Sequence, residues 1–170
     1  CADVQVGQGA SGMSAAIVVE DGNYGAVIVS GENHAFDVAS VSIPDGCRLV
    51  LLQNEMASGV VAAVAHKARD AGADVILNAA PATGITAAEF SQVDTLIVNR
   101  IEGSDILGVA NDVLDPASIV AGLQALASKA RIILTLGGDG VAFAEPGGVV
   151  RHEPAQKVTV RSTHGAGDVF

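Results

Sequence analysis

The residues best suited to chemistry stand near the end of the chain, where Gly165-Ala166-Gly167-Asp168 follows a run of β-forming residues. That order predicts a strand that enters a helix through a turn too tight for large side chains. The free N–H groups of a helix's first turn can bind an anion such as phosphate. A carboxylate beside them can take the proton from an attacking hydroxyl. The pattern therefore suits phosphoryl transfer to an alcohol, although Gly-x-Gly before an acidic residue is also an ordinary loop and helix cap.

A second candidate pair follows another predicted strand. Asn99 and Glu102 lie three residues apart after the apolar run 94–98. If Asn99 caps a helix, Glu102 completes a capping box, and that alone explains the pair. Alternatively, the carboxylate holds Mg²⁺ through water while Asn99 binds a phosphate oxygen. The two residues alone leave both interpretations open.

Further polar residues stand where other predicted strands end. Thr135 and Gly137 either form a turn between strands or lie against a nucleotide. Glu55 could accept hydrogen bonds from sugar hydroxyls, and Asn78 offers one more polar side chain. Each signal is weak alone, since many strands end in polar residues. Because ligands bind at the carboxyl ends of the strands of such sheets, we expect all of these residues to share one site.

The segment Gly7-Gln8-Gly9-Ala10-Ser11-Gly12 matches the dinucleotide fingerprint G-x-G-x-x-G, and Glu32 lies twenty residues beyond Gly12. That fingerprint requires a strand before it and a helix after it. From Met13 onward the residues alternate and are β-branched, so a helix is not expected there. We interpret the segment as a flexible loop. The chain has no Gly-x-x-x-x-Gly-Lys-Ser/Thr segment, which excludes a P-loop.

The hydrophobic pattern predicts the elements that position these residues. Residues 13–20 and 25–30 read as two strands of a hairpin, because Asp21-Gly22-Asn23 between them is turn chemistry. Further strands are predicted at 47–53, 73–78, 94–98, 131–136, 141–145 and 157–160. Helices are predicted at 56–71, near 86–90, after Asn99, and from Asp115-Pro116 to about Ser128. Strands that alternate with helices at this spacing indicate a mostly parallel α/β sheet.

Composition limits the possible partners. The chain has 170 residues, of which 49% are hydrophobic and only 3% aromatic, so it can bury a core but offers few rings on which bases could stack. Nine basic and nineteen acidic residues give a net charge of −10. That charge repels nucleic acid and anionic membranes. An anionic substrate would need a local positive site, which helix N-termini can supply.

Cysteine and histidine usage points away from a zinc site. Cys1 and Cys47 are far apart, and the four histidines are scattered. Two reduced cysteines are usual in a cytosolic protein. No apolar run is long enough to span a bilayer, and no signal peptide is visible, so we expect a cytoplasmic protein.

Taken in order, these segments resemble the ribokinase-like (PfkB-type) family of carbohydrate kinases. The segment from Gly165 to Phe170 matches that family's G-A-G-D-x-F signature, and Asn99-x-x-Glu102 matches its internal N-x-x-E. Residues 78–82, 135–137 and 51–55 match neighbouring segments at suitable spacing. The resemblance implies a three-layer α/β sandwich with a mostly parallel central sheet and a β-hairpin that contributes to a lid. It also implies a lid segment at residues 1–32 and an α/β core at residues 33–170.

The resemblance implies a role for each candidate. Asp168 would be the base that deprotonates the sugar hydroxymethyl group, and it would also contact the sugar, as would Glu55. The amides of Gly165, Ala166 and Gly167 would form the anion hole. The remaining positions belong to the nucleotide and its metal: Asn99 and Glu102 would order the triphosphate and Mg²⁺, and Thr135 and Gly137 would border the nucleotide.

The chain departs from the family pattern in three places. Ser162 stands where the family usually has an aspartate that helps to bind an activating monovalent cation, which argues against K⁺ activation. The N-terminal Gly-Gly-x-Gly-x-Asn sugar-binding segment is missing, and so is the C-terminal part with further adenine and cation contacts. We therefore interpret the chain as a segment of a longer protein.

The expected function is ATP-dependent phosphorylation of a sugar primary hydroxyl, with ribose as the first candidate and a homodimer through the lid as a family trait. Two alternatives stay open. The first is a kinase for fructose, a sugar phosphate or a nucleoside. The second is a silent relative that binds a sugar or nucleotide without catalysis.

Overall fold

The computed structural model describes residues 4–18 and 24–159 of the chain. The first element is a hairpin of two antiparallel strands, β1 (Met13–Val18) and β2 (Tyr24–Val29), in which Met13 pairs with Val29. Both predicted strands are confirmed, with slightly different ends. The predicted turn at 21–23 lies outside the described residues, as does the whole segment 160–170 with Ser162 and the Gly165–Asp168 motif.

A six-stranded sheet forms the centre of the molecule, and its strands are adjacent in the order in which they occur along the chain. The first four strands run parallel, and the last two are antiparallel to their neighbours. The strands are β3 (Leu49–Gln53), β4 (Asp74–Asn78), β5 (Thr95–Asn99), β6 (Arg131–Thr135), β7 (Val141–Ala144) and β8 (Arg151–Glu153). The predicted mostly parallel sheet is confirmed.

Four α-helices connect the parallel strands, and local capping chemistry defines their ends. They are α1 (Val60–Asp70), α2 (Ala87–Phe90), α3 (Arg100–Leu107) and α4 (Pro116–Leu126). Asp115 caps α4 by accepting from the backbone N–H of Ser118 at 2.9 Å, and this bond is the main reason that the pKa of Asp115 is lowered. Pro116 occupies the first helical position, where its missing N–H costs nothing.

The core lies between the helices and one face of the sheet. Leu77, Leu96 and Leu134 on that face are fully buried, and they belong to one cluster with Ala65 of α1 and Ile119 of α4. The residues that alternate with these along each strand lie on the second face of the sheet, as the cross-strand register shows, and Leu51 on that face is 69% exposed. We call this second face the open face; its apolar residues are Leu49, Leu51, Ile76, Ile97, Ile133, Val141 and Phe143. The described residues therefore supply the sheet and one layer of helices.

The structure differs from the sequence-based prediction at one helix start and at two strands. Helix α1 begins at Val60 rather than at residue 56, because Gly59 has a left-handed backbone with φ of 82°. No strand was predicted at β8, whose residues Arg-His-Glu are all exposed and give no apolar signal. The predicted strand 157–160 is not formed over its described part, residues 157–159, where Val158 is 72% exposed. Within the described ranges, no helix is both long and apolar enough to cross a membrane.

Candidate active site

The candidate residues that lie within the described ranges follow the strands at one edge of the sheet, because β3 to β6 are parallel and their carboxyl ends meet there. Gln53 at the end of β3 is the register partner of Asn78 at the end of β4. Asn99 at the end of β5 is the register partner of Thr135 at the end of β6. The expectation that these strand ends adjoin is met by the topology. Their roles in binding stay predictions.

Asn99 and Glu102 form a complete capping box at the start of α3. The Glu102 backbone N–H donates to Asn99 Oδ1 at 2.9 Å, and the Asn99 backbone N–H donates to Glu102 Oε2 at 2.8 Å. The predicted cap is therefore present. The capping box uses only one polar atom of each side chain, and it does not involve Asn99 Nδ2 or Glu102 Oε1. The structural interpretation of the pair therefore leaves one donor and one acceptor for a ligand.

Burial changes the acidity of Glu102. Partial removal from water raises the pKa of this carboxyl above its ordinary value, and the nearby charge of Asp105 raises it further. Hydrogen bonds from Asn99 act in the opposite direction and lower it, but burial is the largest effect. A divalent cation beside Glu102 would favour the charged form and reverse the shift. The site is thus one where binding of a cation and loss of a proton would be coupled.

The end of β6 presents open backbone beside the capping box. Thr135 Oγ1 donates to the Val98 carbonyl at 3.4 Å, which ties the two strand ends together. Gly137 follows with a φ of 57°, and a Cβ placed on it would meet no atom within 4 Å. The turn that begins at Gly137 is exposed to solvent. Such a surface can accommodate a flat ligand against the main chain, and glycine is required there by the positive φ.

Glu55 lies in a different part of the same edge, at a cavity of about 270 Å³ between the base of the hairpin and the ends of β3 and β4. The backbone N–H of Glu55 donates to Gln53 Oε1 at 2.9 Å, which ties Glu55 to the end of β3. The preceding residue, Asn54, donates through Nδ2 to the carbonyls of Pro81 and Thr83 at 2.6 and 3.0 Å. These bonds join the loops that follow β3 and β4, and they form one wall of the cavity.

Sequence reasoning missed the other wall of this cavity. Ser30, Asn33 and His34 line it from the short 3₁₀ turn that follows the hairpin, and Gly12 lines it from the loop before β1. No motif singles out Asn33 or His34. The glycine pattern at residues 7–12 was a signal, but its meaning depends on a contact with residues more than twenty positions away.

The catalytic candidates Gly165, Ala166, Gly167 and Asp168 lie outside the described residues, so their placement relative to Asn99 and Glu102 stays a prediction. Over residues 4–18 and 24–159, no three His, Cys, Asp or Glu side chains converge into a metal site. Glu102 Oε1, a carboxylate oxygen that the capping box does not use, suits the way in which Mg²⁺ binds, which is through one or two carboxylates together with waters and substrate phosphates.

With this geometry in place, comparison with known proteins decides the family. The model of the pfkB family of carbohydrate kinases matches residues 3–170. The chain belongs to that family. The family resemblance inferred from the N-x-x-E and G-A-G-D-x-F segments is therefore confirmed, and it covers nearly every residue.

Individual members of the family show the same relation. The ribokinase of Schizosaccharomyces pombe (strain 972 / ATCC 24843) is 28% identical over 171 residues, which cover 94% of this chain and 52% of that protein. The crystal structure of the Cryptococcus neoformans var. grubii serotype A ribokinase in complex with ADP is 28% identical, with a TM-score of 0.76 and coverage of 96% and 57%. The ribokinase of Thermotoga maritima is 26% identical, with a TM-score of 0.75 and coverage of 93% and 52%.

The chain spans about half the length of these relatives. The ribokinase-like fold is nevertheless shared over more than nine-tenths of the chain.

Proposed function

We propose that the protein containing this chain transfers the γ-phosphoryl group of ATP to a primary hydroxyl of a sugar, with ribose as the first candidate. The observation that carries the proposal is the shared edge of the sheet. There a capping box with one unused donor and one unused acceptor adjoins an open glycine turn, and an acceptor-sized cavity lies at the neighbouring strand ends. Family membership gives this arrangement its chemistry.

The nucleotide would bind at the β5 and β6 ends. Asn99 Nδ2 would donate to a phosphate oxygen, and Thr135 with the open backbone of Gly137 would border the nucleotide. The relative from Cryptococcus neoformans, 28% identical, was crystallised with ADP, which supports an adenine nucleotide as the donor. Glu102 Oε1 would hold the Mg²⁺ ion through water, and that ion would neutralise charge on the phosphates.

The acceptor would bind in the cavity beside Glu55. Its lining includes the polar side chains of Ser30, Asn33 and Thr83, which suits a molecule rich in hydroxyl groups. Glu55 is exposed to this space, and its carboxylate can accept hydrogen bonds from two sugar hydroxyls. The two relatives with 28% identity are named ribokinases, which supports ribose as the first sugar to test.

The reaction step follows from the family signature. Asp168 would take the proton as the sugar hydroxyl oxygen bonds to the γ-phosphorus and the bond to the β-phosphate oxygen breaks, so that ADP leaves. The amides of Gly165, Ala166 and Gly167 would bind the oxygens of the transferred group. Ser162 in place of the usual aspartate argues against a K⁺ requirement.

The test uses the protein together with any chain that precedes Cys1 or follows Phe170. We expect ADP release that depends on ATP, Mg²⁺ and a sugar, and Asp168→Asn should lower kcat by roughly 10²–10⁴-fold because the proton acceptor is lost. A panel of ribose, fructose, a sugar phosphate and nucleosides identifies the acceptor. Undiminished turnover of Asp168→Asn would remove Asp168 from the mechanism. Binding of sugar or ATP without any turnover would favour a silent relative.

A further inference from the structure

The glycine-rich loop at residues 7–12 and the turn at residues 30–34 lie against each other at the base of the hairpin. The Glu32 backbone N–H donates to the Ala10 carbonyl at 3.0 Å. In return, the Gly9 backbone N–H donates to Glu32 Oε1 at 2.5 Å. The half-buried carboxylate of Glu32 thus binds the backbone of the 7–12 loop, which lies more than twenty residues earlier in the sequence.

This contact explains the glycine spacing that resembles a dinucleotide fingerprint. A Cβ on Gly7 or on Gly9 would overlap the Glu32 carboxyl group. A Cβ on Gly12 would lie 2.7 Å from Asn33 Nδ2. A side chain at Gly7 or Gly9 would therefore have to displace the Glu32 carboxyl group, and one at Gly12 would also crowd the Ser30 carbonyl oxygen, 2.9 Å from the added Cβ. Residues 7–12 form the predicted loop, and their glycines let it pack closely on the 30–34 turn, while the flexibility of the loop stays a prediction.

The turn held in this way carries residues of the acceptor cavity. Asn33 and His34 follow Glu32 directly and line the same cavity as Glu55. Glu32 itself does not line that cavity. Its carboxylate can act on the acceptor only by fixing where Asn33 and His34 stand.

We propose that Glu32 is a positioning residue for the acceptor, which it serves by locking the 30–34 turn onto the 7–12 loop and so fixing one wall of the cavity. The inference rests on the proposed function, because it concerns the acceptor of that reaction. Asn99, Thr135 and Gly137 stand on other elements, at the ends of β5 and β6. Loss of Glu32 should therefore weaken acceptor binding and leave nucleotide binding unchanged.

A double-mutant cycle between Glu32 and Gly9 tests this inference. Glu32→Ala and Gly9→Ala should each raise the KM for the acceptor by about tenfold, the usual effect of losing one hydrogen bond to a charged group, with little change in kcat or in the KM for ATP. The double variant should bind the acceptor no worse than Glu32→Ala, because removal of the carboxyl group makes room for the new Cβ. Glu32→Gln, which keeps one acceptor oxygen, should recover part of the loss.

Glu145→Ala is the control, since it removes a carboxylate of the same length that accepts one 2.8 Å bond, here at an exposed position and from Arg131 on a remote part of the sheet. Its KM values should equal those of the wild type. Additive effects of Glu32→Ala and Gly9→Ala, or equal increases in the KM for ATP and for the acceptor, would overturn the inference.

Hydrogen exchange of the ligand-free protein separates this inference from the proposed function. In Glu32→Ala, peptides that cover residues 30–35 should exchange faster, while peptides from α1 should not change. A wild-type protein that phosphorylates no sugar would contradict the proposed function. Unchanged exchange at residues 30–35 would contradict the positioning role of Glu32, whatever the activity.

Discussion

At the scale of single residues, the same side chains serve the fold and the proposed chemistry. The capping box of Asn99 and Glu102 satisfies two backbone N–H groups at the start of α3. It does not use Asn99 Nδ2 or Glu102 Oε1, so these two atoms remain available to a ligand. The two interpretations that the sequence left open are therefore compatible. A substitution that keeps the cap and removes the charge can tell them apart.

Glu102→Gln is that substitution, since glutamine also completes a capping box. Because burial raises the pKa of Glu102, its contribution to stability is present below its ordinary pKa of 4.5 and is lost as pH rises through the raised value. Glutamine does not titrate, so we expect the free energy of unfolding of the wild type to fall relative to that of the Glu102→Gln variant as the pH rises from below 4.5 through the raised pKa of Glu102. Urea unfolding over this range measures the difference.

The same variant should lose about 10–100-fold in turnover with Mg²⁺ and ATP, as is typical when a group that holds a metal through water is removed. Glu89→Gln is the control, because Glu89 completes the capping box of α2 with Thr86 in the same way. Turnover of Glu102→Gln equal to that of Glu89→Gln would show that Glu102 is only a helix cap.

The helix starts could be predicted from the sequence because short local patterns define them. Asn99-x-x-Glu102 and Asp115-Pro116 predict the starts of two helices because their side chains cap the first turn, and both helix starts are confirmed. Asn33 and His34 could not be found in this way. They line the proposed acceptor cavity from a turn whose Glu32 packs against Gly7 and Gly9, and no local pattern encodes that contact.

At the scale of elements, Lys67 and Gln5 hold the segment of residues 36–43, which lies between the hairpin and β3, through hydrogen bonds to its backbone. Lys67 of α1 donates through Nζ to the carbonyls of Val38 and Val41 at 2.7 and 2.8 Å, and to that of Ala39 at 3.3 Å. Gln5 fixes the same segment from the other side through two bonds with the Asp37 backbone, at 2.9 and 2.8 Å. This segment connects the 30–34 turn to the core sheet.

Lys67→Met should therefore loosen residues 36–43 while it keeps the aliphatic part of the side chain. We expect the free energy of unfolding to fall by about 1–3 kcal/mol, since three carbonyls lose a charged donor. Hydrogen exchange should become faster in residues 36–43 and stay unchanged in β4 and β5. Lys129→Met, at an exposed position, is the control. Unaltered protection of residues 36–43 would contradict this account of the segment.

Strand prediction succeeded at the apolar runs that form β1 to β7, and it failed at β8 and at residues 157–159. β4 to β6 were predicted because each contains a short continuous apolar run, and residues of each run pack into the core on the helical side of the sheet. β8 forms from three polar residues because β7 offers an edge with which they can pair. At residues 157–159, β-forming residues are present but pair with no described strand, so propensity alone did not suffice.

At the scale of the whole molecule, the open face distinguishes this chain from a closed α/β sandwich. Leu51 and Leu49 are 69% and 51% exposed, whereas Leu77 and Leu96 on the helical side are 0% exposed. Contiguous apolar surface of this kind favours association. We expect the 170-residue chain by itself to bind a hydrophobic dye and to self-associate at micromolar concentration.

Leu51→Lys should reduce both the dye fluorescence and the sedimentation coefficient of the isolated chain, because it places a charge at the more exposed of the two β3 leucines on the open face. Leu126→Lys, which changes a 49% exposed leucine at the end of α4, is the control and should leave both signals near those of the wild type. Equal effects of the two substitutions would mean that the open face has no special part in association.

The walls of the acceptor cavity have a consequence for how substrate preference can diverge. They are made by the base of the hairpin, by the turn that follows it and by the loops after β3 and β4, whereas the proposed nucleotide positions stand directly at the ends of β5 and β6. Loops tolerate substitution better than buried strands do. On the proposed function, exchange of those turns and loops between related proteins would therefore alter which acceptor is bound, while the proposed nucleotide positions, anchored in the sheet, would persist unchanged.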